Sequence, residues 1–559
     1  MSESTGFPAV PAVAGDSSRR LQRAVEFMGS PAGLSALVAV VAAVVLWLVI
    51  QPLTRVTADT DAAASVMYFQ RISAGHRLEA FYPTTPKPLL TLLYGVAWSL
   101  THDWHSLAVM TLVVGSLAVG MAARLAARMG GLPAAAFVAV GLLAWPAFRL
   151  EVADANSFVW GLALWLLAAL LITADRPRPW AAGFVLILAG LARTETIWLI
   201  VAAAACAAVV LLAASRGGDR GRLRLVLPPV VGALAVPLAC LHDLLLTGKP
   251  FYWLSVPGGY TVMAYPDLGS ASPLTTLHRE LLHYAPLLAL VVLGALGIAW
   301  LLTTRWRGVS FALVVLAGGV LGTLVLLAWR AVYISDRYYE EADAAMLLAA
   351  AVGGGLVLTR VVDWAARAVR PGASPAAEAA TASPWPGRLV RGGAAAVLAL
   401  ALALVSFPQG GVEPALARAG KEAAQIREAE AHLDSIVAGG HGDTMTVAGV
   451  AYPVADPLGS RVFVPRWGLP MISVDTGAPT PVLGDSWLAF RNGDYSVLSP
   501  GQYILHVAAD DDGSGGIYAP FEHSVPEAVT GKGGAKLTLV PVFVDATAGV
   551  WLLRVDAAG

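Results

Sequence analysis

Apolar residues run through this chain in long blocks rather than in alternation. Blocks of the roughly 17 to 25 residues that a helix needs to cross a bilayer begin near Gly33, Ser106, Leu132, Ser157, Trp180, Ile197, Leu225, Ala285, Gly308, Ala342 and Gly392. The pattern predicts about eleven transmembrane helices. The apolar stretch from Pro88 to Leu100 is too short to cross and is expected to be a re-entrant or interfacial helix. From about Pro408 the pattern changes. A charged helical stretch, GKEAAQIREAEAHLDSIVAGG, gives way to alternating segments such as TMTVAGVAYPV, GQYILHVAADDD and LTLVPVFVDATAGVWLLRV between Gly and Pro turns. The expected fold class is mainly α, a polytopic helical membrane protein with a C-terminal α+β domain. Its parts are a tail over residues 1–32, a membrane domain over 33–407 whose first long loop spans 52–105, and the α+β domain over 408–559.

Composition agrees with that reading, because 57% of the residues are hydrophobic and 13% charged, against roughly 25% charged in an average soluble domain. The net charge of −1 hides an uneven distribution. Arginines such as Arg19, Arg20, Arg23, Arg124, Arg128, Arg176, Arg178, Arg220, Arg305, Arg360 and Arg391 gather in one set of alternate loops. The positive-inside rule makes that set and the N-terminus cytoplasmic, and an odd span count then puts the C-terminal domain outside. No convincing cleavage site follows the Arg19–Arg20 pair, so the first span is read as uncleaved. Cys206 and Cys240 both fall within expected spans, which supports neither a disulfide framework nor a thiolate metal site. The Ala/Pro-rich segment from Pro371 to Pro386 reads as a cytoplasmic linker, and no internal repeat is visible.

Once the loops are oriented, the polar residues that an apolar chain has least reason to carry collect on the outer rim. Charge there is costly unless it binds or catalyses. Asp61 opens an expected helix ending near Gly75, with Ser65 and Tyr68 on its face. It is a candidate general base toward a hydroxyl, or a helix cap, and Asp59 competes for the role of base. In PTTPKPLL, Pro86 and Pro88 fix the chain around Lys87, an ammonium placed for a phosphate oxygen or a lysine snorkelling at a helix start. RLEVADANSF offers Arg149, Glu151 and Asp154, and LARTET offers Arg193 and Glu195. These loops hold either structural ion pairs or a site in which Asp154 faces Asp61 and Arg193 holds phosphate. In AVYISDRYYEEADAAML, Arg337 stands beside Tyr338 and Tyr339, where an arginine can neutralise a leaving phosphate. His102, His105, His278 and His283 match no defined metal-ligand spacing, and the acidic run Asp510 to Asp512 lacks the distant glutamate of a calcium loop. No P-loop or dinucleotide fingerprint appears, and nothing in the pattern calls for a nucleic acid. Trp467, Trp487 and Tyr495 are candidate sugar-stacking aromatics in the C-terminal domain, or its core.

The acidic residue after the first span, the short helix ending in Arg71 and Gly75, and the Lys87–Pro88 pair together resemble the GT-C-type membrane glycosyltransferases. That group contains the protein O-mannosyltransferases and the aminoarabinose transferase of lipid A. The resemblance favours Asp61 over Asp59 and continues through Asp154, LARTE and RYYEEADAAMLLAAA, over roughly residues 30 to 360. Two positions depart from the family pattern: Pro86 stands where His is usual, and Tyr339, Glu340 and Glu341 replace a Leu-Pro sequence. The resemblance implies a polyprenyl-phosphate-linked sugar donor and a hydroxyl acceptor at the outer bilayer face. Asp61 would be the base and Lys87, with Arg193 or Arg337, the cation facing the departing phosphate, in an inverting transfer. Some relatives use a divalent cation and others none. Two rival classes stand beside this one. A lipid flippase or transporter would place charge near the midplane and show repeats, and a non-catalytic scaffold would rest on its exported glycan-binding domain.

Overall fold

The computed structural model describes residues 31–50, 60–75, 77–78, 84–214, 220–264, 278, 282, 286–304, 313, 320, 336–369, 384–406, 444–447, 450–453, 462–463, 493–496, 498–507, 526–545 and 550–558. Asp59, Arg279, His283, Trp467, Trp487, the acidic run at 510–512, the linker at 371–383 and the charged stretch at 420–440 lie outside the described residues.

Ala- and Leu-rich sequence favours helix, and in lipid a helix satisfies its own backbone groups. The described helices are α1 (Pro31–Ile50), α2 (Thr60–Ser73), α3 (Pro88–Thr101), α4 (His105–Ala144), α5 (Pro146–Ala153), α6 (Ser157–Ile172) and α7 (Pro179–Ala192). They continue with α8 (Thr194–Ala214), α9 (Arg220–Gly232), α10 (Ala235–Thr247), α11 (Tyr252–Ala264), α12 (Leu288–Leu302), a 3-10 turn at Asp336–Tyr339, α13 (Glu340–Val369) and α14 (Pro384–Ser406). Three segments among the described residues are long and apolar enough to cross a membrane: His105–Ala144, Val226–Thr247 and Glu340–Ala365. The pair α5 and α6, bent by 109°, makes a fourth if it is one span, and shorter apolar helices such as Gly33–Val49 and Val390–Ser406 accompany them. Leu48, Phe184, Val397 and Val405 lie on exposed apolar faces of these helices, as lipid-facing residues do. The chain is an integral membrane protein.

One detail modifies the expected helix map and another agrees with it. The blocks beginning at Ser106 and Leu132 are two helical segments of the continuous stretch α4, divided by a kink at Gly131, whose φ of 77° is outside helical geometry. Pro133, two residues on, cannot supply an interior backbone N–H, so the ladder is interrupted where the two expected spans meet. The segment RLEVA, read as loop, is instead the last part of α5, started by Pro146 at its first position.

At the centre of the body, α4 packs against α1, α6, α13 and α14. Phe137, Val138, Phe148, Phe158, Leu347 and Val352 belong to its buried core. Helices α12 and α13 approach closely. A methyl group at Gly297 would strike the Ala349 carbonyl, and one at Gly353 would strike the Leu293 carbonyl. Small residues of this kind let membrane helices meet backbone to backbone.

The C-terminal region contains a two-stranded antiparallel ribbon, β1 (Thr444–Val447) with β2 (Val450–Pro453), and a five-stranded sheet. The sheet order is β3 (Val462–Phe463), β4 (Tyr503–Val507), β7 (Val550–Ala557), β6 (Lys536–Asp545), β5 (Ala528–Thr530). Among the described strands only the β3–β4 pairing is parallel. Alternate residues Leu537, Leu539, Leu553 and Val555 fill a core with Ile504 and Leu498. The irregularity in β6 falls between Pro541 and Phe543, past the Lys536–Thr538 stretch that pairs with β5, where a missing N–H is tolerated.

Candidate active site

The described parts of the first long loop form a hydrogen-bonded unit around Asp61. This residue sits in the first turn of α2, where a carboxylate faces the positive end of the helix dipole. Gly75, at φ 71°, follows the end of that helix, and Arg71 occupies its last turn. Lys87 Nζ donates to Asp61 Oδ2 at 3.0 Å, and the Thr84 hydroxyl donates to Oδ1 at 3.2 Å. The Tyr68 hydroxyl donates to the Thr84 carbonyl at 2.7 Å, and the Ser65 hydroxyl to the Asp61 carbonyl at 3.0 Å. Asp61, Ser65 and Tyr68 thus share the working face of α2. Lys87 precedes Pro88 at the start of α3, where a cation opposes the dipole, so the Asp61 carboxylate offsets both that repulsion and burial. The Lys87 side chain is 5% exposed and that of Asp61 27%.

A second unit joins α3 to the break between α5 and α6. Tyr94, fully buried on α3, bonds to the Ala155 carbonyl at 2.7 Å and receives the Trp160 indole N–H at 2.9 Å. The Thr111 hydroxyl lies 2.9 Å away. Ala155 has φ 55°, a left-handed conformation that costs a residue with a Cβ about 1 kcal/mol or more. Its neighbour Asp154 caps the end of α5 at this break and is half-buried, and Asn156 accepts the Phe158 N–H to start α6.

The third unit is electrostatic. Arg193 lies in extended conformation between α7 and α8 and is 2% exposed. Its Nη1 meets Glu340 Oε2 at 3.0 Å, its Nε meets Glu341 Oε1 at 2.6 Å, and Glu195 Oε2 lies 3.9 Å from Nε. The Phe158 ring sits 5.4 Å from the guanidinium carbon. Burial alone would depress the Arg193 pKa. The carboxylates of Glu341, Glu340, Glu195 and Glu151 outweigh it and hold the pKa raised.

Beside these units opens a cavity lined by Thr85, Thr194, Glu195, Trp198, Leu199, Trp253, Pro257, Val320, Tyr338 and Glu341. Thr85 brings the Asp61 loop to its wall, Glu195 and Glu341 bring the Arg193 cluster, and Tyr338 brings the turn that carries Arg337. Trp253 is fixed in that wall by a buried carboxylate on α10, since Asp243 Oδ2 accepts its backbone N–H at 2.7 Å.

The structure therefore joins Asp61 to Lys87 directly and gathers Glu195 and Tyr338 around one cavity. Arg193 is engaged by Glu340 and Glu341 from a helix far along the chain. Asp154 stands at the α5–α6 break, Arg71 at the end of α2, and the Arg337 side chain lies outside the described residues. Thr84 and Tyr94 were missed, while Asp243 stood out only as one of many polar residues at the rim. A hydroxyl or carboxylate in an apolar helix, or a threonine ahead of a proline, was the available signal. Among the described residues no three His, Cys, Asp or Glu side chains converge as a metal-ligand set.

No protein-family model matches the sequence, and no curated protein does. Solved structures do. The crystal structure of ArnT from Cupriavidus metallidurans bound to undecaprenyl phosphate is similar with a TM-score of 0.51 and 14% identity, over 95% of this chain and 99% of that one. The chain shares the GT-C-type fold. The apo state of the same ArnT gives a TM-score of 0.46 at 14% identity, over 94% of this chain and 98% of that one. The Archaeoglobus fulgidus oligosaccharyltransferase in complex with Zn and sulfate gives 0.44 at 15% identity, over 86% of this chain and 69% of that one. On the first of these likenesses the GT-C-type fold expected from the Asp61–Pro88 loop is present, and at 14% identity the likeness is one of fold.

Proposed function

We propose that this protein is a membrane glycosyltransferase that moves a sugar from a polyprenyl-phosphate-linked donor to a hydroxyl acceptor at the outer face of the cytoplasmic membrane. The observation that carries the reading is the Asp61–Lys87 pair, 3.0 Å apart beside an aromatic cavity in a GT-C-type fold. The structurally similar ArnT was crystallised with undecaprenyl phosphate, which supports a lipid-phosphate donor. About eleven spans, a cytoplasmic N-terminus and an exported C-terminal domain complete the proposal.

In this mechanism Asp61 takes the proton from the acceptor hydroxyl as its oxygen bonds to the anomeric carbon. The bond from that carbon to the phosphate oxygen breaks, and the electron pair leaves with the polyprenyl phosphate. Lys87, released from Asp61 as that carboxylate is protonated, neutralises the departing phosphate, with Arg337 and Tyr338 on the facing turn. One displacement gives inversion, since no second carboxylate forms a covalent intermediate. Asp154 shapes the acceptor side, Glu195 lines the cavity, and Arg193 acts indirectly by holding Glu340 and Glu341. The test is transfer from a synthetic polyprenyl-phosphate sugar by the purified protein in proteoliposomes, using extracted envelope glycans and lipids as acceptors. Asp61→Asn should nearly abolish it. Parental rates from a correctly inserted Asp61→Asn protein would sink the mechanism.

A further inference from the structure

The cavity wall carries a charge pattern that the transfer mechanism leaves unused. Glu341 is matched by Arg193, which also holds Glu340. Glu195 is left at the margin of that cluster. Its Oε2 lies 3.9 Å from Arg193 Nε and 3.4 Å from the Thr194 hydroxyl, and the side chain remains 32% exposed. Among the described residues no cation lines the cavity. Trp253 is 4% exposed, and its indole N–H has no acceptor among the described residues. The Trp198 ring lies 5.3 Å from it, tilted by 52°.

This wall offers the exposed flat face of Trp198, backed by the buried Trp253 ring, and a carboxylate that accepts hydrogen bonds. Those groups complement a polyhydroxylated ring, whose C–H face stacks on indole and whose hydroxyls donate to carboxylate. A carboxylate on the ring would instead meet Glu195 in a confined, poorly screened space with no lining cation to compensate. Thr85 places this wall next to Thr84, which holds Asp61, so a ring bound here lies beside the candidate base.

We propose that the cavity is the subsite for the transferred sugar, that it takes a non-acidic sugar, and that Glu195 is the specificity residue that rejects a uronic acid. The proposal rests on the glycosyltransferase reading and names the sugar class for the same site. Negative selection through a like charge is an economical route to discrimination, because it leaves binding of the accepted sugar largely intact.

The experiment titrates three probes into the full-length protein in nanodiscs: farnesyl phosphate, farnesyl-phosphate glucose and farnesyl-phosphate glucuronate. The two sugars differ only in oxidation at C6. The glucose probe should bind about tenfold or more tighter than the glucuronate probe. Glu195→Gln keeps the shape and removes the charge, and should shrink that gap to about threefold or less. Glu195→Lys should reverse the preference. Equal affinities in the parent protein, or an unchanged gap in both variants, would overturn the sugar-class proposal. The parent comparison decides the matter alone if the variants do not fold. Failure of farnesyl phosphate itself to bind would overturn the underlying lipid-phosphate reading as well, whereas its binding without sugar discrimination would overturn the subsite proposal only.

Discussion

Asp61 with Lys87 and Arg193 with its glutamates are both ion-pair sites at helix ends, yet they differ in balance and in access. The first is one carboxylate against one ammonium, with Asp61 27% exposed. The second buries a single guanidinium, 3% exposed at its side chain, among a surplus of carboxylates. A balanced pair reachable from outside can exchange partners when a phosphate or hydroxyl arrives. A buried cation surrounded by excess negative charge cannot, because each departure would strand a carboxylate in a poorly solvated place. One site is suited to chemistry and the other to holding α8 and α13 together.

That contrast can be broken most decisively at Arg193. Arg193→Met should destabilise the protein by about 3–5 kcal/mol through uncompensated buried carboxylates, read as lost thermal stability and yield in detergent. A variant of parental stability would refute the architectural role. Asp61→Asn and Lys87→Met should do the reverse, each lowering transfer by about 10² to 10³ while monodisperse protein is retained. If either instead aggregates while keeping its specific activity, the comparison inverts. Tyr94→Phe tests the neutral link between α3 and the α5–α6 break. Stranding the Ala155 carbonyl and leaving the Trp160 N–H only its longer contact to Thr111 at 3.4 Å should lower stability by about 1–3 kcal/mol, less than loss of Arg193, and no change would show that the break holds itself. The smallest effect concerns Asp494 in the C-terminal region, a fully exposed carboxylate whose Oδ1 accepts the Ser496 N–H at 3.0 Å. Hydrogen bonds from the Ser496 backbone and side chain lower its pKa below the ordinary 3.8. A lowered folded-state pKa stabilises above the unfolded value and is lost as pH falls through the folded one. Any effect of Asp494→Asn on unfolding should therefore be present at pH 6 and vanish in strong acid, and a difference that grows in acid would contradict this assignment.

Legibility in the sequence followed distance along the chain. The limits of α2 were readable because Asp61 and Gly75 are local signals, an acidic first turn and a residue free to adopt positive φ. The start of α3 was readable from Lys87–Pro88 for the same reason. The GT-C-type fold was legible from those short motifs together with the apolar blocks. By contrast, LARTET offered Glu195 as the nearest partner for Arg193, while the close contact to Glu340 spans 147 positions. No spacing rule reaches that far. Tyr94 was hidden because a tyrosine in an apolar helix reads as core, and only packing against Trp160 and Ala155 shows its hydroxyl at work. The division of α4 at Gly131 was readable from hydropathy, which starts a new apolar block at Leu132.

The contact between Gly297 and Gly353 turns α13 into a lever with a fixed fulcrum. Glu340 and Glu341 ride on one arm, and Asp363, paired with Arg391 of α14, rides on the other. With carbonyls seated against both glycines, even one added methyl must separate α12 from α13. The displacement would reach both charged ends of the helix. A silent-looking Gly→Ala change at either position should therefore loosen the acidic wall of the cavity without touching any residue that lines it.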